Sequence, residues 1–276
     1  MARTAVVLFN LGGPDSLEAV EPFLFNLFSD PAIIRLPRLL RHWVATLISR
    51  RRAPIAREIY RQIGGKSPIV EQTQAQAEAL QAALSDLGEV RVFTAMRYWH
   101  PRSDVTALEV RGFAPDNIVL LPLYPQFSTA TTKSSLVDWY RAAKTADLLA
   151  PRVTNTALCC YATASGLIEA QVGLIAPLLR EAATSGSVRL LLSAHGLPER
   201  IVKRGDPYAW QVEQTAARIA ARLGVENLDW RLCYQSRVGP MKWIGPATDD
   251  EIRQAGADGV ALVIAPIAFV SEHSET

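Results

Sequence analysis

The run Val188-Arg-Leu-Leu-Leu-Ser-Ala-His195 is an apolar segment typical of a buried strand, and it leads directly into a histidine. The turn Gly196-Leu197-Pro198 follows. A second apolar run, GVALVIAPIAFV at 259–270, also predicts a fully buried strand and is followed by Ser-Glu-His-Ser-Glu-Thr at 271–276. Ligands bind at the carboxyl ends of parallel strands in α/β sheets. Two imidazoles with carboxylates at such an edge suit metal binding or proton transfer.

The strand pattern is internally duplicated. Three runs of the first half have counterparts in the second: 4–9 with 188–194, 90–96 with 228–233, and 117–123 with 259–270. Helical patterns lie between the strands, as at 72–87 and 208–223. Strands that alternate with helices predict parallel sheets. We therefore expect two similar α/β lobes, with a boundary near residues 150–165 and one site between them.

The composition is that of a folded globular protein, with 276 residues, 49% hydrophobic and 20% charged. A net charge of +2 is too small to indicate a nucleic-acid partner. No apolar stretch has the length of a membrane span, and Met1-Ala-Arg-Thr4 leads into a strand without a signal peptide. The three cysteines, Cys159, Cys160 and Cys233, lack zinc-site spacing. We interpret them as reduced, small core residues of a cytosolic protein.

Two glycine-rich motifs look like phosphate loops but lack the defining residues. Gly64-Gly-Lys-Ser67 has Tyr60 where a P-loop needs its first glycine, and it follows a helical pattern. Asn10-Leu-Gly-Gly-Pro-Asp15 follows a strand but contains no GxGxxG. We therefore expect no nucleotide site. The glycines at 12 and 13 are interpreted as allowing the backbone to approach a bulky ligand.

Segment 35–61 is basic and amphipathic. Large apolar residues recur at helical spacing between Leu36 and Ile48, and eight arginines accompany Glu58 as the only acid. Such a helix suits a membrane surface or an anionic amphiphile. The alternative is a helix whose apolar stripe faces the core and whose arginines are solvated.

Nine motifs, in order along nearly the whole chain, resemble those of ferrochelatases. They are LGGP (11–14), IGGKSP (63–68), RYWHP (97–101), YPQFS (124–128), SAHGLP (193–198), RGDPY (204–208), QSRVGP (235–240), WIGPATD (243–249) and PIAFVSEHSE (266–275).

The resemblance implies the chelatase fold, an α/β architecture. It consists of two similar Rossmann-like lobes with parallel four-stranded sheets flanked by helices, and an active-site cleft between them. We expect the first lobe at 1–155, with the basic amphipathic segment (about 30–61) as a lip of the cleft. We expect the second at 156–276. The sequence ends before the family's closing elements, so the resemblance also implies a C-terminally truncated copy whose second lobe is incomplete.

The resemblance also implies roles for individual residues. His195 matches the catalytic proton acceptor and a metal partner. Glu275 matches the essential carboxylate that relays protons and holds the metal, with His273 and Glu272 beside it. The porphyrin-binding positions expected are Leu11, Tyr60, Arg97, Tyr98, Ser128 and Trp243, with Arg51 and Arg52 as our candidates for pairing with the propionates.

The implied activity is insertion of Fe²⁺ into protoporphyrin IX, the last step of haem synthesis, with porphyrin and ferrous iron as substrates. No cofactor beyond that iron is expected. Thr129 stands where some animal relatives have an iron–sulfur cluster cysteine, and the presence of a cluster is left open. The protein is expected in the cytoplasm, with the lip allowing peripheral contact with the inner membrane and with no nucleic-acid partner.

Three alternatives remain at the level of sequence. The first is a ferrochelatase that acts on coproporphyrin III. The second is a chelatase that inserts another metal, such as cobalt, into another tetrapyrrole. The third is a two-lobe haem- or metal-binding protein without catalysis. Turnover on both porphyrins with Fe²⁺ and Co²⁺ separates them.

Overall fold

The computed structural model describes residues 2–237 and 241–272, which belong to two compact units. The first unit holds the chain up to Tyr124, Thr129–Cys159 and the stretch from Ser271 onward. The second unit holds Pro125–Ser128 and Cys160–Val270. The short loop 125–128 therefore belongs to the second unit although the segments on both sides of it belong to the first.

The first unit is built on a parallel sheet with strand order β2-β1-β3-β4. Its strands are β1 (Arg3–Asn10), β2 (Glu89–Met96), β3 (Asn117–Pro122) and β4 (Thr154–Ala157). Its helices are α1 (Val20–Phe28), α2 (Arg38–Gln62), α3 (Ile69–Ala83), α4 (Ser103–Phe113) and α5 (Thr132–Thr145).

Strand β1 lies inside this sheet because both of its faces are apolar. Alternate side chains of a strand point to opposite faces. Ala5, Val7 and Phe9 accordingly pack in one core cluster with Trp139 of α5, whereas Val6 and Leu8 pack in another with Ala77 of α3. A sheet buried on both faces needs helices on both sides, which is the doubly wound arrangement.

The second unit repeats this plan with a parallel sheet of order β6-β5-β7. Its strands are β5 (Val188–His195), β6 (Asp229–Gln235) and β7 (Ala261–Pro266). Its helices are α6 (Ser165–Ala183), α7 (Glu199–Val202), α8 (Tyr208–Leu223) and α9 (Thr248–Asp258). The prediction of parallel α/β sheets flanked by helices is confirmed.

Two details of the second sheet differ from the prediction. Within the described residues it has three strands rather than four, and β7 corresponds to β3 of the first sheet. The run 259–270 is also not one fully buried strand. Strand β7 ends at Pro266, and among the described residues it pairs with β5 alone, so that it forms an edge of the described sheet, where Ile264 is 43% exposed.

Helix α2 buries small residues and exposes large ones. Ala45, Ser49 and Ala53 follow one another at four-residue spacing on its buried face. Ala53 packs in a cluster with Val20 and Phe23 of α1. The large apolar side chains of the first turns point outward, with Leu39 88% and Trp43 65% exposed; Leu40, Leu47, Ile55 and Ile59 are also exposed. The core-facing alternative is therefore wrong for these side chains, whereas Leu36, Val44 and Ile48 of the same stripe are half-buried.

The packing bears on two smaller interpretations. Gly12 and Gly13 allow close approach of the chain to itself, and their approach to a ligand stays a prediction. A Cβ on Gly12 would lie 3.0 Å from the Cβ atoms of Met96 and Trp99, and Gly13 is packed against Ser67 in the same way. Among the cysteines, Cys233 is a buried free thiol as predicted. The prediction of reduced core thiols is wrong for the exposed Cys159 and half-buried Cys160, which are disulfide-bonded.

Candidate active site

His195 is the last residue of β5, and its imidazole is half-buried. Its Nδ1 lies 2.7 Å from the carbonyl oxygen of Gly196. A carbonyl can only accept a hydrogen bond, so Nδ1 carries the proton in this arrangement and donates it. In the neutral ring, the lone pair that can accept a proton is then on Nε2. The local structure therefore prepares His195 to accept a proton at Nε2.

Trp243 lies beside His195 because the loop that carries Trp243 pairs with the loop that follows His195. Pro198 and Trp243 form an isolated antiparallel bridge, and the Ile244 N–H donates to the Leu197 carbonyl at 2.9 Å. A Cβ on Gly196 would meet the Trp243 Cε3 at 3.2 Å. The glycine thus brings the indole ring close to the backbone next to His195.

A buried tyrosine supports the same strand end. Tyr208, at the start of α8, is hydrogen-bonded to the backbone of His195. Burial raises the pKa of this phenol well above its usual range, with smaller contributions from nearby Tyr234 and Asp206. The Tyr208 side chain is therefore neutral at physiological pH and serves as a hydrogen-bonding support rather than a charge.

In the first unit, Arg97 follows the end of β2 and belongs to a compact polar cluster. Its Nη2 lies 2.9 Å from Asp30 Oδ2, and its Nε donates to Ser134 Oγ at 2.7 Å. The guanidinium carbon also lies 5.0 Å from the centroid of the Tyr98 ring. The side chain of Arg97 is 15% exposed and that of Asp30 2% exposed, so the pair is largely shielded from water.

Tyr98 is part of this cluster and is itself buried. Its hydroxyl donates to Asp30 Oδ2 at 2.8 Å. Burial, followed by the charge of Asp30, raises the pKa of Tyr98 well above its usual range. Tyr98 also packs in the apolar cluster with Tyr60, and half-buried Leu11 lies against that cluster. The structure thus brings together four predicted residues, Leu11, Tyr60, Arg97 and Tyr98, in one region of the first unit.

Ser128 lies in the second unit and is buried. Its hydroxyl donates to Asp206 Oδ2 at 3.1 Å, while the other oxygen of Asp206 accepts the Tyr208 backbone N–H. The neighbouring Phe127 N–H donates to Gln211 Oε1 at 2.7 Å. The YPQFS motif is therefore held by residues around the start of α8, which also carries Tyr208.

Arg51 and Arg52 are exposed on α2. Arg52 lies 5.9 Å from the centroid of the Phe28 ring. In residues 2–237 and 241–272, neither arginine has a carboxylate within ion-pairing distance, whereas Arg50 and Arg57 lie near Glu21. Their charges are therefore available to an anionic ligand.

His273 and Glu275 lie outside the described residues. The two residues before them are attached to the first unit. Ser271 Oγ accepts a hydrogen bond from Asn10 Nδ2 at 3.0 Å, and the Glu272 backbone N–H donates to Gln72 Oε1. In the described part of the chain, no three His, Cys, Asp or Glu side chains are grouped as a metal site. The expected cleft between the lobes stays a prediction.

Sequence reasoning missed Asp30 and did not single out Tyr208. Asp30 stands in Ser29-Asp-Pro31 between two helical patterns, where an aspartate normally indicates a turn. Its side-chain Oδ1 does accept the Ala32 backbone N–H, as in an Asx turn. Only the tertiary structure shows that the other oxygen is shared with Arg97, Tyr98 and Ser134.

Sequence comparisons with known proteins identify the family of the chain. The ferrochelatase family model matches residues 3–276. A ferrochelatase of Phenylobacterium zucineum is 55% identical over 99% of this chain and 79% of its own length. One from Caulobacter vibrioides is 54% identical over 99% and 78%. A solved multi-domain protein from Deinococcus radiodurans, described as similar to chelatases, aligns with a TM-score of 0.45 at 14% identity, covering 97% of this chain and 52% of that one. The chain belongs to the ferrochelatase family, whose members insert metal into a porphyrin.

Proposed function

We propose that this protein inserts Fe²⁺ into protoporphyrin IX to form protohaem, with His195 as the proton acceptor. One observation more than any other supports the assignment of His195 as the base. The Gly196 carbonyl holds a proton of His195 on Nδ1, so that in the neutral ring the accepting nitrogen is Nε2, and the ring is half-exposed at the end of a strand. The family relationship indicates the reaction, and the imidazole provides the proton acceptor that this reaction needs.

The reaction requires the removal of two pyrrole N–H protons as the dication enters the macrocycle. A neutral imidazole accepts protons near pH 7 because its ordinary pKa is about 6.5. In this proposal Glu275 and Nε2 of His195 first hold the incoming iron. As the iron passes to the pyrrole nitrogens, the vacated Nε2 accepts the first proton and Glu275 accepts and relays the second, with His273 assisting beside it. Oxygen and nitrogen ligands of this kind suit Fe²⁺ as a substrate.

The porphyrin itself is held by apolar and cationic residues in this proposal. Trp243 provides an aromatic surface next to His195. Arg51 and Arg52 pair with the propionates, since charge-assisted hydrogen bonds from guanidinium to carboxylate are strong and directional. The other porphyrin-binding positions are Leu11, Tyr60, Arg97, Tyr98 and Ser128. Because Tyr60 and Tyr98 are 6% and 1% exposed, they act mainly by supporting the residues that touch the ligand.

The lip is proposed as a membrane-contact surface of a cytoplasmic enzyme that is peripheral to the inner membrane. Exposed Leu39, Leu40 and Trp43 lie among arginines on α2, which is the pattern of a helix that rests on anionic lipid. Such a surface would bring the protein close to membranes in which an apolar porphyrin dissolves. None of the described helices is both long and apolar enough to cross a bilayer.

The substrate assignment is tested by anaerobic turnover on two porphyrins. Purified protein is mixed with protoporphyrin IX or coproporphyrin III and with Fe²⁺ or Co²⁺, and the absorption spectrum of the metalloporphyrin is recorded over time. We expect the highest kcat/KM with Fe²⁺ and protoporphyrin IX. A higher kcat/KM on coproporphyrin III would contradict the proposed substrate, and stoichiometric binding without turnover would contradict catalysis.

A further inference from the structure

Asp30 carries a buried negative charge that the proposed reaction does not yet use. It is 3% exposed. Within the described residues, the cation that pairs with it is Arg97, at 2.9 Å. Burying a carboxylate is costly unless it is paired and hydrogen-bonded, and Asp30 meets both conditions. The chain therefore places this charge specifically against Arg97.

We infer that Asp30 is a positioning residue that fixes the guanidinium of Arg97 for contact with the porphyrin. This inference rests on the proposed role of Arg97 in the proposed function. The geometry supports it directly. Asp30 Oδ2 accepts from Arg97 Nη2, and Ser134 Oγ accepts from Arg97 Nε. Two anchors at different nitrogens of one planar group fix both its position and the orientation of its plane.

The arrangement leaves one side of the guanidinium for a ligand. Nη1 of Arg97 has no hydrogen-bond acceptor among residues 2–237 and 241–272, and the side chain is partly exposed. The Asp30–Arg97 pair is also neutral overall. It therefore offers N–H donors without a net positive charge. A net positive charge at this place would repel an incoming Fe²⁺ ion.

Asp30 has a second role that any test must separate from the first. Its Oδ1 accepts the Ala32 N–H at 2.8 Å, and its backbone carbonyl accepts the N–H groups of Ile33 and Ile34. These bonds shape the loop that leads to α2. They use Oδ1 and the backbone, whereas Arg97, Tyr98 and Ser134 use Oδ2. A change at Ser134 therefore disturbs only the Oδ2 side.

The test is a double-mutant cycle on turnover with Asp30→Asn, Arg97→Gln and the double variant, together with Ser134→Ala. Values of kcat/KM are expressed per porphyrin-binding site, determined by titration of porphyrin fluorescence, so that loss of folded protein does not enter. Residues that orient a functional group typically cost about 10- to 100-fold when removed. We expect that loss for Asp30→Asn and for Arg97→Gln, and no further loss in the double variant. Ser134→Ala should also lower kcat/KM, but by a smaller factor.

The matched control is Asp147→Asn. Asp147 also pairs with an arginine of the first unit, Arg152, at 3.2 Å, but both side chains are exposed. This variant should keep the wild-type kcat/KM.

Losses that multiply in the double variant would overturn the inference, as would a wild-type kcat/KM per site in Asp30→Asn. If Asp30→Asn does not fold, a wild-type kcat/KM for Ser134→Ala has the same consequence. If Arg97→Gln alone has no effect, the inference fails together with the role of Arg97. The assignment of His195 is then unaffected, because it is measured separately.

Discussion

Single residues of this protein are placed by close contacts that small side chains permit. Gly196 is the clearest case, since it lies between the Gln235 carbonyl and the indole of Trp243. Its N–H also donates to the Gln235 carbonyl at 2.8 Å. Gly196, whose carbonyl accepts the hydrogen bond from His195, thus also sets the distance between this part of the chain and Trp243. A methyl group at this position changes both.

We predict that Gly196→Ala destabilises the protein and displaces Trp243. The new Cβ would lie 3.0 Å from the Gln235 carbonyl oxygen and 3.2 Å from Trp243, so one neighbour must shift. Overpacking of this kind costs about 1–3 kcal/mol. The free energy of unfolding in urea and tryptophan emission measure the effect.

The matched control is Gly173→Ala in α6, where a Cβ meets no atom within 4 Å. Alanine should stabilise this helix by about 1 kcal/mol. Equal free energies of unfolding for the two variants would contradict the packing described around Gly196.

At the scale of elements, α2 shows why amphipathic periodicity alone could not decide its environment. The pattern of large apolar residues fits a core-facing stripe and a membrane-facing stripe equally well. The decisive feature is the complementary face, because Ala45, Ser49 and Ala53 allow close packing and leave the leucines outside. Small residues at four-residue spacing are a weak signal in a sequence. The short polar strand β4 was missed for a similar reason, since Thr-Asn-Thr-Ala carries almost no apolar signal.

For the lip, we predict that Leu39→Ser, Leu40→Ser and Trp43→Ser together abolish binding to anionic vesicles without lowering the unfolding midpoint. The three side chains are 88%, 49% and 65% exposed, so their removal takes little surface out of the core. Binding of the wild type should weaken with salt because the surrounding arginines contribute. Sedimentation with phosphatidylglycerol vesicles and thermal unfolding are the measurements.

A control for this triple variant uses exposed leucines elsewhere. Leu174 and Leu178 on α6 are 72% and 51% exposed. Their replacement by serine should leave vesicle binding unchanged. If the α6 variant loses binding and the α2 variant keeps it, the membrane surface has been assigned to the wrong helix.

Another element-scale prediction concerns the ion pairs that join β5, β6 and α9. Arg189 donates to Asp229 and to Asp258, each at 2.8 Å. The hydrogen bond from Arg189, followed by that from Gln254, lowers the pKa of Asp258 below its ordinary value of 3.8. A lowered pKa stabilises the fold above the ordinary value, and this contribution is lost as pH falls through the pKa of the folded state.

Asp258→Asn should therefore be less stable than the wild type at pH 6, and the difference should shrink as pH falls below about 4. Chemical unfolding between pH 6 and pH 3 measures it. Asp250→Asn serves as the comparison, since Asp250 pairs with Arg237 and Arg253 on the exposed surface. A stability difference for Asp258→Asn that grows towards low pH would contradict the described pairing.

At the scale of the whole molecule, the duplicated strand pattern predicted the architecture well. Apolar runs located six of the seven strands that the described residues contain, because parallel strands buried on both faces have continuous apolar sequences. The helix pattern at 208–223 coincides with α8, and that at 72–87 overlaps α3. The extent of β7 was overestimated, since the apolar run continues to Val270 although the strand ends at Pro266.

The residues of the candidate site could be predicted where they end a strand. They could not be predicted where tertiary contacts bring them into a polar cluster. His195 could be found from its position at the end of an apolar run, which is the end of β5. Asp30 could not, because its partners Arg97 and Ser134 are 67 and 104 residues away in the chain. Buried polar clusters of this kind depend on which loops the fold brings together, and a single sequence contains no local signal for that.

The central claim is that His195 accepts the porphyrin protons in a metal-inserting enzyme. The most direct measurement is the single-turnover rate of Fe²⁺ insertion into bound protoporphyrin IX, compared between the wild type and His195→Ala, with His100→Ala as a control histidine outside the proposed site. Removal of a general base costs about 10²- to 10⁴-fold. We predict that loss for His195→Ala, with porphyrin affinity retained and His100→Ala at the wild-type rate. A near-normal rate in His195→Ala would contradict the account.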